Sequence, residues 1–332
     1  MAEILYSPDP DLSYAEIADW LELRAFFSRS AFALFDEIEN QLDIIEDETD
    51  SDFGSADAAR EALRSGVYEE VEKRRAALGT AYPFAFSANG ERFELASEST
   101  LGSASYVFCL ILAHAAQSSV LQNDARPCDG AMREARLHFH ILCTVAAAGL
   151  SGGPSISFGW PRPEYQKTFQ DALAVFIKTL AEPGVLARST ARSGAPTSVK
   201  DEGIDTISWR LHPDGPPVGT VLFGQGASGH DWETKSARGL RERFLQEWID
   251  GLLESRTSVA TFIPHVLSQP AASRHTPTHG EIIHRLRLPA YVQLGKELAD
   301  KGTALVQRVG DFHLVEGWIK TYRDGLSGRA YA

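Results

Sequence analysis

Between Lys200 and Lys235 the chain reads KDEGIDTISWRLHPDGPPVGTVLFGQGASGHDWETK, which sets an acid and an amide at the ends of two adjacent strands. Residues 204–209 alternate branched and polar side chains, and 220–223 form a short β-rich run. His212-Pro213-Asp214-Gly215-Pro216-Pro217 between them is dense in turn formers, so the segment predicts a β-hairpin. Asp205 opens the first strand and Gln225 follows the second, so both side chains can converge on one cation. A hard ion, Mg²⁺ or Mn²⁺, takes oxygen ligands of the kind a carboxylate and an amide carbonyl supply.

The pattern resembles the PD-(D/E)XK superfamily, the restriction-endonuclease-like nucleases, in a variant with Gln in place of the second acid. In those families an acid opens the second core strand, Glu or Gln and then Lys stand on the third, and an often acidic helix packs before them. Asp205 matches the first acid and Gln225 the second polar ligand. The slot two residues after Gln225 holds Ala227, so the resemblance implies that Lys235 serves instead, from a following helix. Helix 132–148 should carry an acidic ligand; it carries His138 and His140, with Glu134 the nearby carboxylate. The likeness covers about 137–267.

The resemblance implies an α/β fold: a helical N-terminal module, then a restriction-endonuclease-like mixed-sheet core with flanking helices. It implies a Mg²⁺-dependent deoxyribonuclease with Asp205, Gln225 and Lys235 as catalytic residues and Asp205 and Gln225 on the metal. A bacterial defence, restriction or repair setting goes with it, as does a protein partner or homo-oligomer. The rival expectation is a nuclease-like fold without chemistry that serves as an interaction subunit, favoured by Ala227 and the missing helix acid.

Each residue has a plainer role beside this one. Asp205 can be an ordinary acid at a strand start, Gln225 can satisfy backbone groups at a glycine-marked bulge, and Lys235 can be a solvated helix residue. His138 and His140, two apart, point to different faces of a helix. His275 and His279 are four apart, but Pro277 between them argues for a loop over 268–279. Trp160, Trp209 and Trp232 flank the site and offer rings for base stacking, and Arg162 a charge for phosphate.

A net charge of −13 gives no overall attraction to a polyanion. The charge is uneven: residues 36–57 carry ten acids and no Lys or Arg, whereas Arg238, Arg241 and Arg243, and His284, Arg285 and Arg287, cluster later. The 332 residues, 43% hydrophobic, can build a large core, and no apolar run is long enough for a bilayer. The N-terminus lacks a basic region followed by an apolar stretch, so a cytoplasmic chain is expected. Cys109, Cys128 and Cys143 show no CxxC spacing and read as reduced thiols.

Apolar spacing predicts a helix from 14 to about 46, an acidic loop, a second helix over 56–78, a hairpin around Asn89-Gly90 and a buried helix over 103–122. This module, 1–125, precedes an α/β domain over 126–332. There the expected order is helix, glycine-rich turn, strand, helix over 165–180, exposed stretch over 189–198, hairpin, helix over 231–254 and buried strand over 259–266. Helical patterns over 291–306 and 315–322 follow.

Overall fold

The computed structural model describes residues 4–7, 12–38, 53–96, 99–115, 118–160, 162–193, 202–215, 217–251, 253 and 256–329. The chain divides into two compact units, Met1–Gly130 with Gly317–Ala332, and Ala131–Glu316.

In the first unit, helix α1 (Tyr14–Phe27) starts at a capping box in which Ser13 and Glu16 satisfy each other's backbone N–H groups. The helix expected to reach about residue 46 stops at Phe27. Ser28 caps it, Ala31 turns the chain with φ of 56°, and β1 (Phe32–Leu34) follows. The rest of that expected helix, from 39, and the acidic loop up to 52 lie outside the described residues. Helix α2 (Phe53–Leu78) leads to β2 (Phe84–Phe86) and β3 (Arg92–Leu95), the expected hairpin, and β1 adds to it antiparallel in the order β1-β3-β2. Helix α3 (Leu101–Ala115) is buried nearly all round, as its composition requires, but ends short of the expected 122.

Arg74 of α2 organises this unit. Its side chain is fully buried and donates to Asp19 Oδ1 at 2.6 Å, Glu22 Oε1 at 2.8 Å, Glu70 Oε1 at 3.1 Å and the Ala15 carbonyl at 2.8 Å. Tyr82 donates to Glu22 Oε1 at 2.7 Å and Tyr106 to Glu22 Oε2 at 2.8 Å, while His114 Nε2 lies 2.7 Å from Asp19 Oδ2. Burial disfavours the charged guanidinium, but Glu22 and its neighbours hold the Arg74 pKa well above its usual value; burial and Glu22 likewise push the Tyr82 phenol well up.

The second unit begins with α4 (Asp129–Ser151), then β4 (Ser155–Ser157), α5 (Phe169–Leu180) and β5 (Leu186–Ala187). Thr168 and Asp171 form a capping box at the head of α5, so the helix starts at 169 and not at 165. Its Phe169, Ala172, Leu173, Phe176 and Leu180 recur at helical spacing and are buried. The exposed stretch expected over 189–198 lies outside the described residues from 194 on.

Strands β6 (Thr206–Trp209) and β7 (Val221–Gly226) form the expected hairpin, with Thr206 opposite Gly224. The expected helix over 231–254 is shorter: one turn at Trp232–Thr234, then α6 (Ala237–Trp248) capped by Ser236, then β8 (Ile249–Asp250) pairing with β5. Strand β9 (Thr257–Phe262) overlaps the buried strand expected over 259–266 but ends at Phe262, and it pairs in parallel with β7. The expected loop at 268–279 is instead helix α7 (Gln269–His279). Ser268 caps it and Pro270 sits in the first turn, where its missing N–H costs nothing. Strand β10 (Glu281–Ile283) runs parallel to β9, and α8 (Leu288–Asp300) and α9 (Phe312–Arg329) complete the chain.

The five-stranded sheet has the order β10-β9-β7-β6-β4, with only β6 antiparallel to its neighbours, and helices flank it. The α/β mixed-sheet architecture expected from the sequence is the one observed. Its two faces differ. Ile207, Trp209, Val221 and Phe223 join Phe158, Phe169, Phe176, Phe244 and Trp248 in one aromatic core with α5 and α6. On the other face small polar residues let α4 come close: Ser155 Oγ donates to the Thr144 carbonyl at 2.6 Å and Ser208 Oγ to the Ala147 carbonyl at 3.0 Å. α4 meets α8 at equally short range, because a Cβ on Gly149 would lie 2.0 Å from the Tyr291 carbonyl oxygen and one on Gly295 2.0 Å from that of Val145. The late part of α9 belongs to the first unit, where Tyr322 donates to the Ala125 carbonyl at 2.7 Å and Trp318 packs edge-on to Phe108. Among the described residues no helix is long and apolar enough to cross a membrane.

Two stability predictions follow from these contacts. Arg74→Met strands three buried carboxylates and should cost about 3–5 kcal/mol, whereas Arg75→Met, which breaks an exposed pair with Glu72, should cost about 0–1 kcal/mol. Urea unfolding followed by circular dichroism measures both, and equal losses would disprove the central role of Arg74. Gly295→Ala should cost about 1–3 kcal/mol through the steric clash with α4; an unchanged urea midpoint would show that the two helices part freely.

Candidate active site

Asp205 lies at an irregular step. Ile204 and Ile207 both reach the aromatic core, so regular alternation begins only at Thr206 and the Asp205 side chain is released from it. The backbone around it is held from both sides: its N–H donates to the Gly224 carbonyl at 2.9 Å, and its carbonyl accepts from Phe158 and Gly159 at 2.7 and 2.8 Å. Gly226 N–H donates to Asp205 Oδ2 at 2.7 Å. Asp205 Oδ1 then faces His140 Nδ1 of α4 at 3.3 Å.

Glycines let this corner pack tightly. A Cβ on Gly159 would sit 2.7 Å from Asp205 Oδ1 and 3.1 Å from His140 Nδ1; one on Gly226 would sit 3.0 Å from Cys143 Sγ. The structure thus brings Asp205 together with His140, Cys143, Gly159 and Gly226. His140 and Cys143, three apart on α4, share a helix face, and that spacing is the signal in the sequence that could have marked them. His138 lies on another side of α4, where burial holds its pKa below the usual histidine value.

Gln225 is elsewhere. Strand alternation from Val221 and Phe223 sends it to the aromatic side of the sheet, opposite Gly224 and Gly226. It is buried there, and its Oε1 has no hydrogen-bond partner. Lys235 is exposed just beyond the turn Trp232–Thr234. Ala227 is buried among Trp232, Ile263 and Ile282.

The expected nucleic-acid contacts at Trp209 and Trp232 are corrected by burial: the two rings are 0% and 4% exposed. Trp209 packs edge-on to Phe176, and Trp232 lies against His275 and His279, so neither has a face for a base. Arg162 is partly exposed and donates from Nε to the Phe158 carbonyl at 2.9 Å.

Among the described residues no group of three or more His, Cys, Asp and Glu is arranged to hold a metal ion. Asp205 Oδ1 and His140 Nδ1 form a pair at 3.3 Å. Neighbouring ligands of an octahedral cation, each about 2.1 Å from it, stand about 3 Å apart, close to the separation of Asp205 Oδ1 and His140 Nδ1. That nitrogen is buried and makes no hydrogen bond in proper geometry. A carboxylate oxygen with an imidazole nitrogen would suit Mn²⁺ better than Mg²⁺, which prefers oxygen ligands throughout. Comparison with family models, curated proteins and solved structures finds no match for this chain.

Proposed function

We propose that this chain is a metal-dependent nuclease that cleaves DNA phosphodiester bonds at Asp205, with Mn²⁺, or less readily Mg²⁺, held between Asp205 and His140. The reading rests on the approach of Asp205 Oδ1 to His140 Nδ1 in a glycine-lined corner at the end of the sheet. The position of Asp205, just before the second strand of the sheet counted from β4, agrees with the nuclease pattern. When bound, the cation supplies positive charge to a phosphate and activates a water.

The residues of the chain do the positioning. Gly226 N–H fixes one carboxylate oxygen so that the other points at His140. Gly159, without a side chain, lets its backbone pass directly against Asp205 Oδ1 and His140 Nδ1. Lys235 is exposed and Gln225 faces the aromatic side, so His140 takes the place expected of Gln225 as second ligand. With a net charge of −13, attraction to DNA is local or comes from a partner subunit or second copy. The second reading, a nuclease-like interaction subunit without chemistry, is favoured by the buried Ala227 in the lysine slot.

Cleavage of plasmid and single-stranded DNA by the full chain, with Mn²⁺ or Mg²⁺ against EDTA, tests the reading. Asp205→Asn and His140→Ala should each abolish cutting and weaken Mn²⁺ binding, read by electron paramagnetic resonance, by about 10- to 100-fold. Lys235→Ala should leave both unchanged. Cutting that survives Asp205→Asn would rule out this site; a wild-type chain that neither binds Mn²⁺ nor cuts would favour the interaction subunit.

A further inference from the structure

The segment that passes over Asp205 ends in an exposed ring. Phe158 and Gly159 are tied to the Asp205 carbonyl, and Trp160 follows at once. Trp160 is 57% exposed, while the other five tryptophans, Trp20, Trp209, Trp232, Trp248 and Trp318, are at most 6% exposed. Five residues on, Tyr165 is 63% exposed. Its hydroxyl accepts from Gln307 Nε2 at 2.9 Å, and Gln307 Oε1 in turn accepts the Ser157 N–H at 2.9 Å. Tyr165 is therefore anchored at its polar tip to the edge of β4 while its ring faces water. An anchored, bare ring has already lost much of its conformational freedom, so a flat partner binds it at little further entropic cost.

We infer that Trp160 and Tyr165 form a stacking subsite for unpaired nucleobases beside Asp205, so that the strand presented to the site is single-stranded there. This rests on the nuclease reading for its choice of ligand. Every base offers a π-face, so stacking tolerates any sequence, and it does not depend on positive charge, which suits a chain this acidic. A base inside a duplex has its faces covered by its neighbours and must be unstacked first, at a cost that a single strand avoids. Arg162, whose guanidinium lies 6.0 Å from the Phe169 ring centre, stands in the same segment as a phosphate contact.

The test uses the full chain in EDTA, so that binding is read without cutting, with an oligothymidylate and a duplex of equal length as probes. The single strand should quench the exposed tryptophan and bind more tightly than the duplex. Trp160→Ala should weaken single-strand binding by about 5- to 100-fold and remove the quenching, Tyr165→Ala should weaken it less, and Trp160→Phe should keep most of the affinity. Unchanged single-strand affinity in Trp160→Ala, no quenching by the wild type, or duplex bound as tightly as single strand would overturn the subsite. The nuclease reading fails separately: if Asp205→Asn still cuts while Trp160→Ala loses single-strand binding, the subsite stands and the catalytic assignment falls.

Discussion

The close seating of α4 on the sheet is the constraint on which the second unit depends. Serine hydroxyls on β4 and β6 donate into α4 carbonyls, and the helix reaches α8 only where Gly149 and Gly295 lack side chains. A backbone-to-backbone approach of this kind leaves no room for drift, because each added atom meets a carbonyl oxygen. It fixes the height of His140 above the sheet and so its 3.3 Å separation from Asp205. The opposite face is built on another principle. Its large aromatic rings, Phe158, Phe169, Phe223 and Phe244 among them, interlock edge to face and hold α5 and α6 by apolar burial. Small polar contacts set distance on the α4 side, and bulk hydrophobic burial supplies stability on the other.

The first unit solves a different problem. Arg74, at zero exposure, and its carboxylates form an ionic core that burial alone would make costly, and the cost is met by near-complete hydrogen bonding from Tyr82, Tyr106, His114 and the Ala15 carbonyl. The partners come from four parts of the unit, namely α1, α2, α3 and the chain just before β2. The cluster therefore specifies how these pieces meet, a task that apolar contacts, being tolerant of sliding, perform less well.

Period and turn chemistry made much of the fold legible. The β6–β7 hairpin, the β2–β3 hairpin, the buried α3 and the strand at 257–262 all carry local signals. The errors have local causes too. The helix expected past Phe27 fails because Phe32 and Leu34 serve a strand, which apolar spacing alone does not distinguish. The loop expected at 268–279 is a helix because a good cap at Ser268 and a proline in the first turn outweigh Pro277 near its end. The site was half legible: Asp205 stands out by its place before a strand, but its partner lies 65 positions earlier on another element, at a distance that only the packing of α4 determines. Gln225 looked like a ligand because it ends a strand beside glycines; its face is set by the parity of Phe223, two residues before.

Charge, rigidity and exposure in the second unit point the same way. On the proposed nuclease reading, a chain at −13 does not gather a polyanion through a broad basic surface, so recognition would rest on few contacts of high quality. The corner at Asp205 would concentrate them. One carboxylate is fixed by a backbone N–H and one imidazole by helix packing; Trp160 follows the segment tied to the same aspartate, and Tyr165 is anchored through Gln307. A cation there would reverse the local sign of the field for an incoming phosphate, and stacking adds affinity that salt does not screen. Neither contact needs the rest of the surface to be basic, and for that reason the acidic composition and a nucleic-acid substrate are compatible.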